Sequence, residues 1–248
     1  MVERIPAASK TILMVQSQIE EGNMSFARGG YDLTQSNRRA FLDKSGLKLE
    51  NLVMGALSHG SRCQVVRKSD AGKGAFSLDT AFPATDALLT SETGLILGIT
   101  TADCLPIFLW SAEGEVIGLA HAGWKGLAKG VVKNLIDTAL KFQPVPSDKL
   151  FIRIGIGIGA CCYTVEVERL KLFNDYHWCE IHWREDEKVH LDLAAIAVQQ
   201  AVQSGIHRQN IGKWEGCACC GQKYPSYRRE GGNFQPDLAV IVCKNQEN

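Results

Sequence analysis

Two short strings carry residue types able to do chemistry: Thr101-Ala102-Asp103-Cys104-Leu105-Pro106 and His121-Ala122-Gly123-Trp124-Lys125-Gly126. Each sets a metal ligand or nucleophile at a strand end. Residues 95–100 are apolar and β-rich, 107–110 form a second apolar stretch and 116–120 a third, with Glu113-Gly114-Glu115 supplying a turn. Pairing around that turn puts Cys104, near the start of one strand, almost opposite His121, near the end of the other. His59 follows the apolar run that begins at Leu52 and precedes another at 63–66, so it too sits at a strand edge, beside Gly60. Two imidazoles and a thiolate suit Zn²⁺, and three protein ligands leave the fourth tetrahedral position for water or substrate. The plainer alternative makes Cys104 a small core residue and has both histidines bonding loop backbone.

Asp103, next to the thiol, has two chemical readings: it orients a zinc-ligating histidine from behind, or it acts as a base. As a turn residue it would simply bond its neighbours' backbone. Other constellations are weaker. His177, Cys179 and His182 fall within six residues, but structural zinc takes four ligands in recognisable pairs, and Trp178, Ile181 and Trp183 point to an aromatic, partly buried segment. Cys217, Cys219 and Cys220 invite a zinc-knuckle reading, yet no second ligand pair follows at the usual spacing. The run Gly155-Ile156-Gly157-Ile158-Gly159 alternates like a strand that another backbone approaches closely, with no helix and acidic partner to make it a dinucleotide loop.

The elements that must position these groups alternate. Strands are predicted near 12–16, 52–58, 63–67, 95–100, 104–111, 116–121, 149–158 and 238–243. A helix is predicted from about 126 to 142, where Leu127, Val131, Leu135 and Leu140 recur near helical spacing. A second starts at Asp192 as N-cap and ends near Ser204, with Gly205 beyond it. The 248 residues, 45% hydrophobic and 22% charged, suffice to bury a full core. No linker tract or repeat divides them, so a flexible N-terminus over residues 1–10 and a single domain over 11–248 are expected.

Formal net charge is zero, with 27 basic and 27 acidic residues, so nothing marks an electrostatic surface for nucleic acid or anionic membrane. No apolar run approaches the ~20 residues of a bilayer span. Nine cysteines without a regular framework, and residues 1–10 without the apolar core of a signal peptide, point to a reducing cytoplasm.

Eight ordered segments resemble the polyphenol-oxidase or laccase-domain family, whose members include purine nucleoside phosphorylases and peptidoglycan editing factors. They are Phe26-Ala27-Arg28-Gly29-Gly30, Asn37-Arg38, His59-Gly60, Asp86-Ala87-Leu88-Leu89-Thr90, the two strings above, residues 154–165, and Ser226-Tyr227-Arg228-Arg229. The resemblance implies a layered α/β mixed-sheet sandwich with outer helices, and one zinc ion on His59, Cys104 and His121. It also brings forward Arg28 and Lys125, which lie beside glycines in matching motifs; a cation there holds phosphate or polarises a leaving group, unless it is only a solvated charge. Arg228 and Arg229 either cover the pocket or pair with structural carboxylates. The chain departs from the family pattern at Leu57-Ser58, in the run 155–159, and at Asn233-Phe234-Gln235-Pro236-Asp237, where a Thr-Gly-Arg is usual.

The resemblance implies phosphorolysis of adenosine, inosine, guanosine or methylthioadenosine and deamination of adenosine, with Cys104, His121 and Asp103 as the catalytic set. Purine nucleosides and phosphate are then the partners; oligomeric state stays open. A rival enzyme uses Cys104 as nucleophile and His121 as its base, a cysteine or zinc amidase acting on a peptidoglycan precursor. A copper oxidase, implied by the family's older name, ranks below Zn²⁺ because only six histidines are present to ligate Cu²⁺. A non-enzymatic module with structural zinc is the remaining reading.

Overall fold

The structure is a computed structural model that describes residues 1–176, 182–185 and 188–245. Its strands run in nearly continuous apolar stretches because most are covered on both faces. One sheet has the order β1 (Val2–Ala7), β2 (Lys10–Gln16), β14 (Asp237–Asn245), β6 (Ile96–Thr101), β3 (Leu52–Met54). The other has β13 (Ile211–Lys213), β9 (Leu150–Ile154), β7 (Leu105–Ser111), β8 (Ile117–Ala122), β5 (Ala87–Thr90), β4 (Cys63–Val65). Both are mixed, with β3 parallel to β6, β4 to β5 and β13 to β9, and the remaining pairs antiparallel. A small sheet of β10 (Thr164–Val165), β12 (Lys188–Leu191) and β11 (His182–Glu185) stands apart.

The period of two along each strand divides the core into layers. On β7, Phe108 and Trp110 face the first sheet and pack with Ile12, Met14, Leu97 and Ile241. Ile107 and Leu109 face the opposite way, onto α3 (Val131–Phe142) and α5 (Leu193–Gln203), where Leu135, Ile136, Ile196 and Ala197 are buried. On the far side of the first sheet, Leu13, Val240 and Val242 pack against Phe41 and Leu42 of α1 (Tyr31–Asp43). The result is a helix, sheet, sheet, helix sandwich, as the sequence and its resemblance implied.

Several boundaries differ from expectation. Val2–Ala7, expected to lie in a flexible N-terminus, is an edge strand in full antiparallel register with β2. Its Glu3 carboxylate accepts from Arg153 Nε and Nη2 at 2.9 and 2.6 Å and from Trp214 Nε1 at 2.6 Å, which ties that edge to the second sheet. The helix expected over 126–142 is two, α2 (Trp124–Ala128) and α3, because Gly130 takes a left-handed φ of 74° between them. The strand expected over 149–158 ends at Ile154. Residues 155–159 leave the sheet, but the close backbone approach holds: a Cβ on Gly157 would lie 2.6 Å from the Asp103 carbonyl. The N-cap at Asp192 is as read, its side chain accepting from Ala195 N at 3.0 Å. Of the His177, Cys179, His182 group, the first two lie outside the described residues.

Candidate metal centre and its cleft

The hairpin of β7 and β8 sets the site. Its register pairs Pro106 with His121, and a residue two positions from Pro106 shares its face, so Cys104, just before β7, falls diagonally beside His121. His59 arrives from the loop after β3, held at a left-handed φ of 56°. The ligand atoms of His59, Cys104 and His121 all lie within 4.8 Å of one another, and the two imidazole rings stand edge to face at 4.9 Å between centroids. His121 is buried, Cys104 half-buried and His59 exposed, so the group opens to one side. Gly123 must be glycine here, because a Cβ would lie 2.6 Å from the Cys104 sulfur.

Asp86, fully buried at the start of β5, holds two of these three residues in place. Its Oδ1 lies 3.1 Å from His121 Nδ1, and its two oxygens accept from Ser58 Oγ and from the backbone N–H groups of Ser58, His59 and Gly60. β3 itself stops at Met54, short of the strand expected over 52–58. A carboxylate on Nδ1 leaves Nε2 as the ring nitrogen free to meet a metal. Asp86 stands in the sequence only as part of a matching motif, whereas Asp103 carries the expectations of orienting a histidine, acting as a base or bonding backbone in a turn; the first of these falls to Asp86. That corrects the expectation for Asp103, which accepts from Arg228 N at 2.6 Å and does not touch either imidazole among its hydrogen bonds. Its Oδ1 is buried with no hydrogen-bond partner among the described residues, in a residue at φ 80° that lines the cleft.

Charge on the site follows from these contacts. Burial opposes ionisation of Cys104, but the charge of His121 and hydrogen bonds from His121 and His59 together outweigh it and bring the thiol down to about 6. Burial likewise disfavours the His121 cation, and the Cys104 thiolate with the Asp86 carboxylate reverses this, raising the imidazole to about 10. Asp86, against its own burial, is held well below the usual carboxylate range by His121, Ser58 and Gly60. For Asp103 burial prevails and pushes the carboxyl up, with Ser226 and Arg228 pulling the other way.

The three ligand residues and Asp103 line a cleft of about 640 Å³, a size that suits a small organic ligand. Arg28 and Lys125 both border it. Arg28 lies over the Phe234 ring at 4.1 Å, and Lys125 Nζ stands 5.5 Å from the Trp124 ring centre. Two further cations were not singled out as ligands by the sequence: Arg169, stacked on Trp124 at 4.3 Å, and Arg228, 5.3 Å from the Tyr163 ring. The open choice between the paired arginines is resolved by position. Arg228 reaches the cleft, whereas Arg229 binds the carbonyls of Ala218, Cys219, Gly221 and Tyr224 and pairs with Glu230. Phe234 and Pro236, from the segment that departs from the family pattern, form part of the same wall.

Comparison with known proteins follows this geometry. Residues 11–244 match the family model for multi-copper polyphenol oxidoreductase laccase. A purine nucleoside phosphorylase, YlmD, of Geobacillus stearothermophilus is 33% identical over 211 residues, 83% of this chain and 77% of that protein. The crystal structure of YlmD from the same organism superposes with a TM-score of 0.88, covering 96% of this chain and 93% of that one at 29% identity. An adenosine deaminase, RL5, from an unknown prokaryotic organism is 28% identical over 204 residues, 80% of this chain and 78% of its own.

Proposed function

This chain belongs to the multi-copper polyphenol oxidoreductase laccase family, and from that premise we propose that it is a zinc-dependent purine nucleoside enzyme, cleaving nucleosides with phosphate and deaminating adenosine. The observation that carries the reading is the convergence of His59, Cys104 and His121 at the floor of a cleft walled by aromatic rings and four cations. Relatives named for purine nucleoside phosphorylase and adenosine deaminase activity support it. The donor set fits the metal: two neutral imidazoles and one thiolate, with one side open, is a set for catalytic zinc. When bound, zinc supplies Lewis acidity toward an oxygen of water or phosphate.

The chain's own residues divide the remaining work. Asp86 fixes the His121 ring and the His59 backbone, so no reorientation is needed when substrate arrives. Arg28, Lys125, Arg169 and Arg228 offer charge-assisted bonds to phosphate. Trp124, Tyr163, Tyr227 and Phe234 present ring faces to a purine. Asp103, carrying a buried oxygen without a partner among the described residues, accepts a hydroxyl or holds a proton for the leaving base. With eight free thiols among the described residues, a reducing, cytoplasmic setting is part of the same reading.

The test is mass-spectrometric product analysis of zinc-loaded protein with adenosine, inosine and methylthioadenosine, with and without phosphate, beside Cys104→Ala. Free base that requires phosphate, or inosine that does not, must vanish in the variant. Full turnover by a metal-replete Cys104→Ala protein overturns the reading. A second reading has one specific support: Cys104 and His121 form a thiolate and imidazolium pair, the starting state of a cysteine hydrolase. Alkylation separates the two. A hydrolase thiolate labels fast in metal-loaded protein, whereas a zinc ligand labels only after chelation.

A further inference from the structure

Of Cys217, Cys219 and Cys220, whose zinc-knuckle reading lacked a second ligand pair, the first and last meet such a pair in space. The turn after Gly159 brings Cys161 and Cys162 against them, and all four sulfurs lie within 4.8 Å of one another. Cys161 Sγ stands 3.8 Å from Cys162 Sγ and 3.8 Å from Cys220 Sγ. Four thiolates around one zinc at ~2.3 Å would sit at tetrahedron corners ~3.8 Å apart. The same separation is far beyond the ~2.05 Å of a disulfide.

The surroundings are built for such a group. Gly159 N donates to Cys217 Sγ at 3.0 Å, an N–H to sulfur bond of the kind that steadies a ligating thiolate. A Cβ on Gly159 would lie 3.1 to 3.3 Å from Cys217 Cβ, Cys161 Sγ and Cys217 Sγ, so the cluster wraps a position with no side chain. Both arms are braced from outside. Cys162 N and Tyr163 N bond to the Gly159 carbonyl, Gly221 N bonds to the Cys217 carbonyl, and Ala218 N bonds to the Gly157 carbonyl. Arg229 holds the carbonyls of Ala218, Cys219 and Gly221.

We propose that Cys161, Cys162, Cys217 and Cys220 form a second metal site, a closed tetrathiolate centre for zinc, distinct from the histidine and cysteine group in the cleft. The donor set decides the ion class, since four soft sulfurs in tetrahedral reach select zinc or iron over harder cations. The four thiols release their protons to solvent as the metal enters, and four protein ligands leave no position for substrate, so the role is structural. Its place explains what it would hold: the loop at 157–163 carries Ile158 and Tyr163 of the cleft wall, and Arg228 Nη1 bonds the Cys162 carbonyl. A metal here pins that wall to the segment leading into Ser226-Tyr227-Arg228.

The full chain, loaded with Zn²⁺ under reducing conditions and desalted, is expected to carry about two metal equivalents, Cys104→Ala about one, and the double variant Cys161→Ser/Cys220→Ser about one. Cobalt supplies a readout that needs no folded cysteine variant of this cluster. Co²⁺ in the Cys104→Ala protein is expected to give thiolate-to-metal charge transfer in the near ultraviolet and intense tetrahedral bands in the visible. A Cys104→Ala protein that binds no metal, or binds Co²⁺ without those bands, overturns the proposal. So does finding the four thiols paired as disulfides in freshly isolated protein.

Discussion

Asp86 sets the His121 ring and the turn at His59 through one carboxylate, so Asp86→Asn, which keeps the shape and removes the charge, is expected to weaken the affinity of the candidate site for a metal ion by about 10- to 100-fold. Competition against a chelating dye measures this, and an unchanged affinity would mean that the ring is oriented by packing alone. Under the proposed function, Cys104→Ala removes one of three metal ligands, and turnover is expected to fall by at least about 100-fold along with the metal content. Gly123 constrains the same atom from the other side, because any Cβ there meets the Cys104 sulfur. Gly123→Ala should therefore reduce metal content while leaving the fold, followed by circular dichroism, intact.

Elements act by where they stop. β7 and β8 deliver Cys104 and His121 because their register is fixed by two buried faces, one against each neighbouring layer, and a one-residue slip would exchange them. Gly130 ends the short helix that carries Trp124 and Lys125, and starts α3 in a new direction. A Cβ at Gly130 would find ample room, its nearest neighbour being Lys133 Cβ at 3.9 Å, so the substitution Gly130→Ala isolates the conformational term. The expected loss is about 1–2 kcal/mol of stability from forcing alanine into the left-handed region, read as a lowered urea midpoint. No change in midpoint would show that the two helices can merge at no cost.

At the scale of the whole molecule, a buried acid joins three strands of the first sheet and, through Gln16, reaches the segment that follows β9. Asp237, at the start of β14, accepts from Thr101 Oγ1 and N and from Gln16 Nε2, while Gln16 also bonds Ile156. Burial outweighs those bonds and pushes the Asp237 carboxyl up to about 7. The folded chain thus holds a proton that the unfolded chain releases near pH ~4. The associated stability is whole below that pH and is lost as pH rises through about 7, a change on the order of a few kcal/mol. Urea denaturation at pH 5 and pH 8 should show wild type weaker at the higher pH, and Asp237→Asn should narrow the difference. An equal gap in both proteins would place the pH dependence elsewhere.

The sequence by itself determined eight of the strands, β2, β3, β4, β6, β7, β8, β9 and β14, and it pointed to His59, Cys104 and His121 as the candidate groups of the cleft. Apolar runs bounded by turn residues mark β6, β7 and β8, and a cysteine and a histidine at their ends need only a hairpin to meet. Asp192 and Gly205 mark the ends of α5 because capping is a local matter of side chain and backbone. What the sequence did not give was any relation that spans the fold. Asp86 stands in the sequence only as part of a matching motif, and its hold on His121 and on the loop at His59 exists only after three separate strands have packed. Arg169, on α4 (Val167–Leu170), carries no signal in the sequence, and only packing stacks it on Trp124. Cys161 and Cys162 lie too far along the chain from Cys217 and Cys220 for any spacing rule to join them. Ligand spacing reports on local turns, whereas these four sulfurs are assembled by two loops crossing at Gly157 and Ala218, and only the tertiary structure brings those loops together.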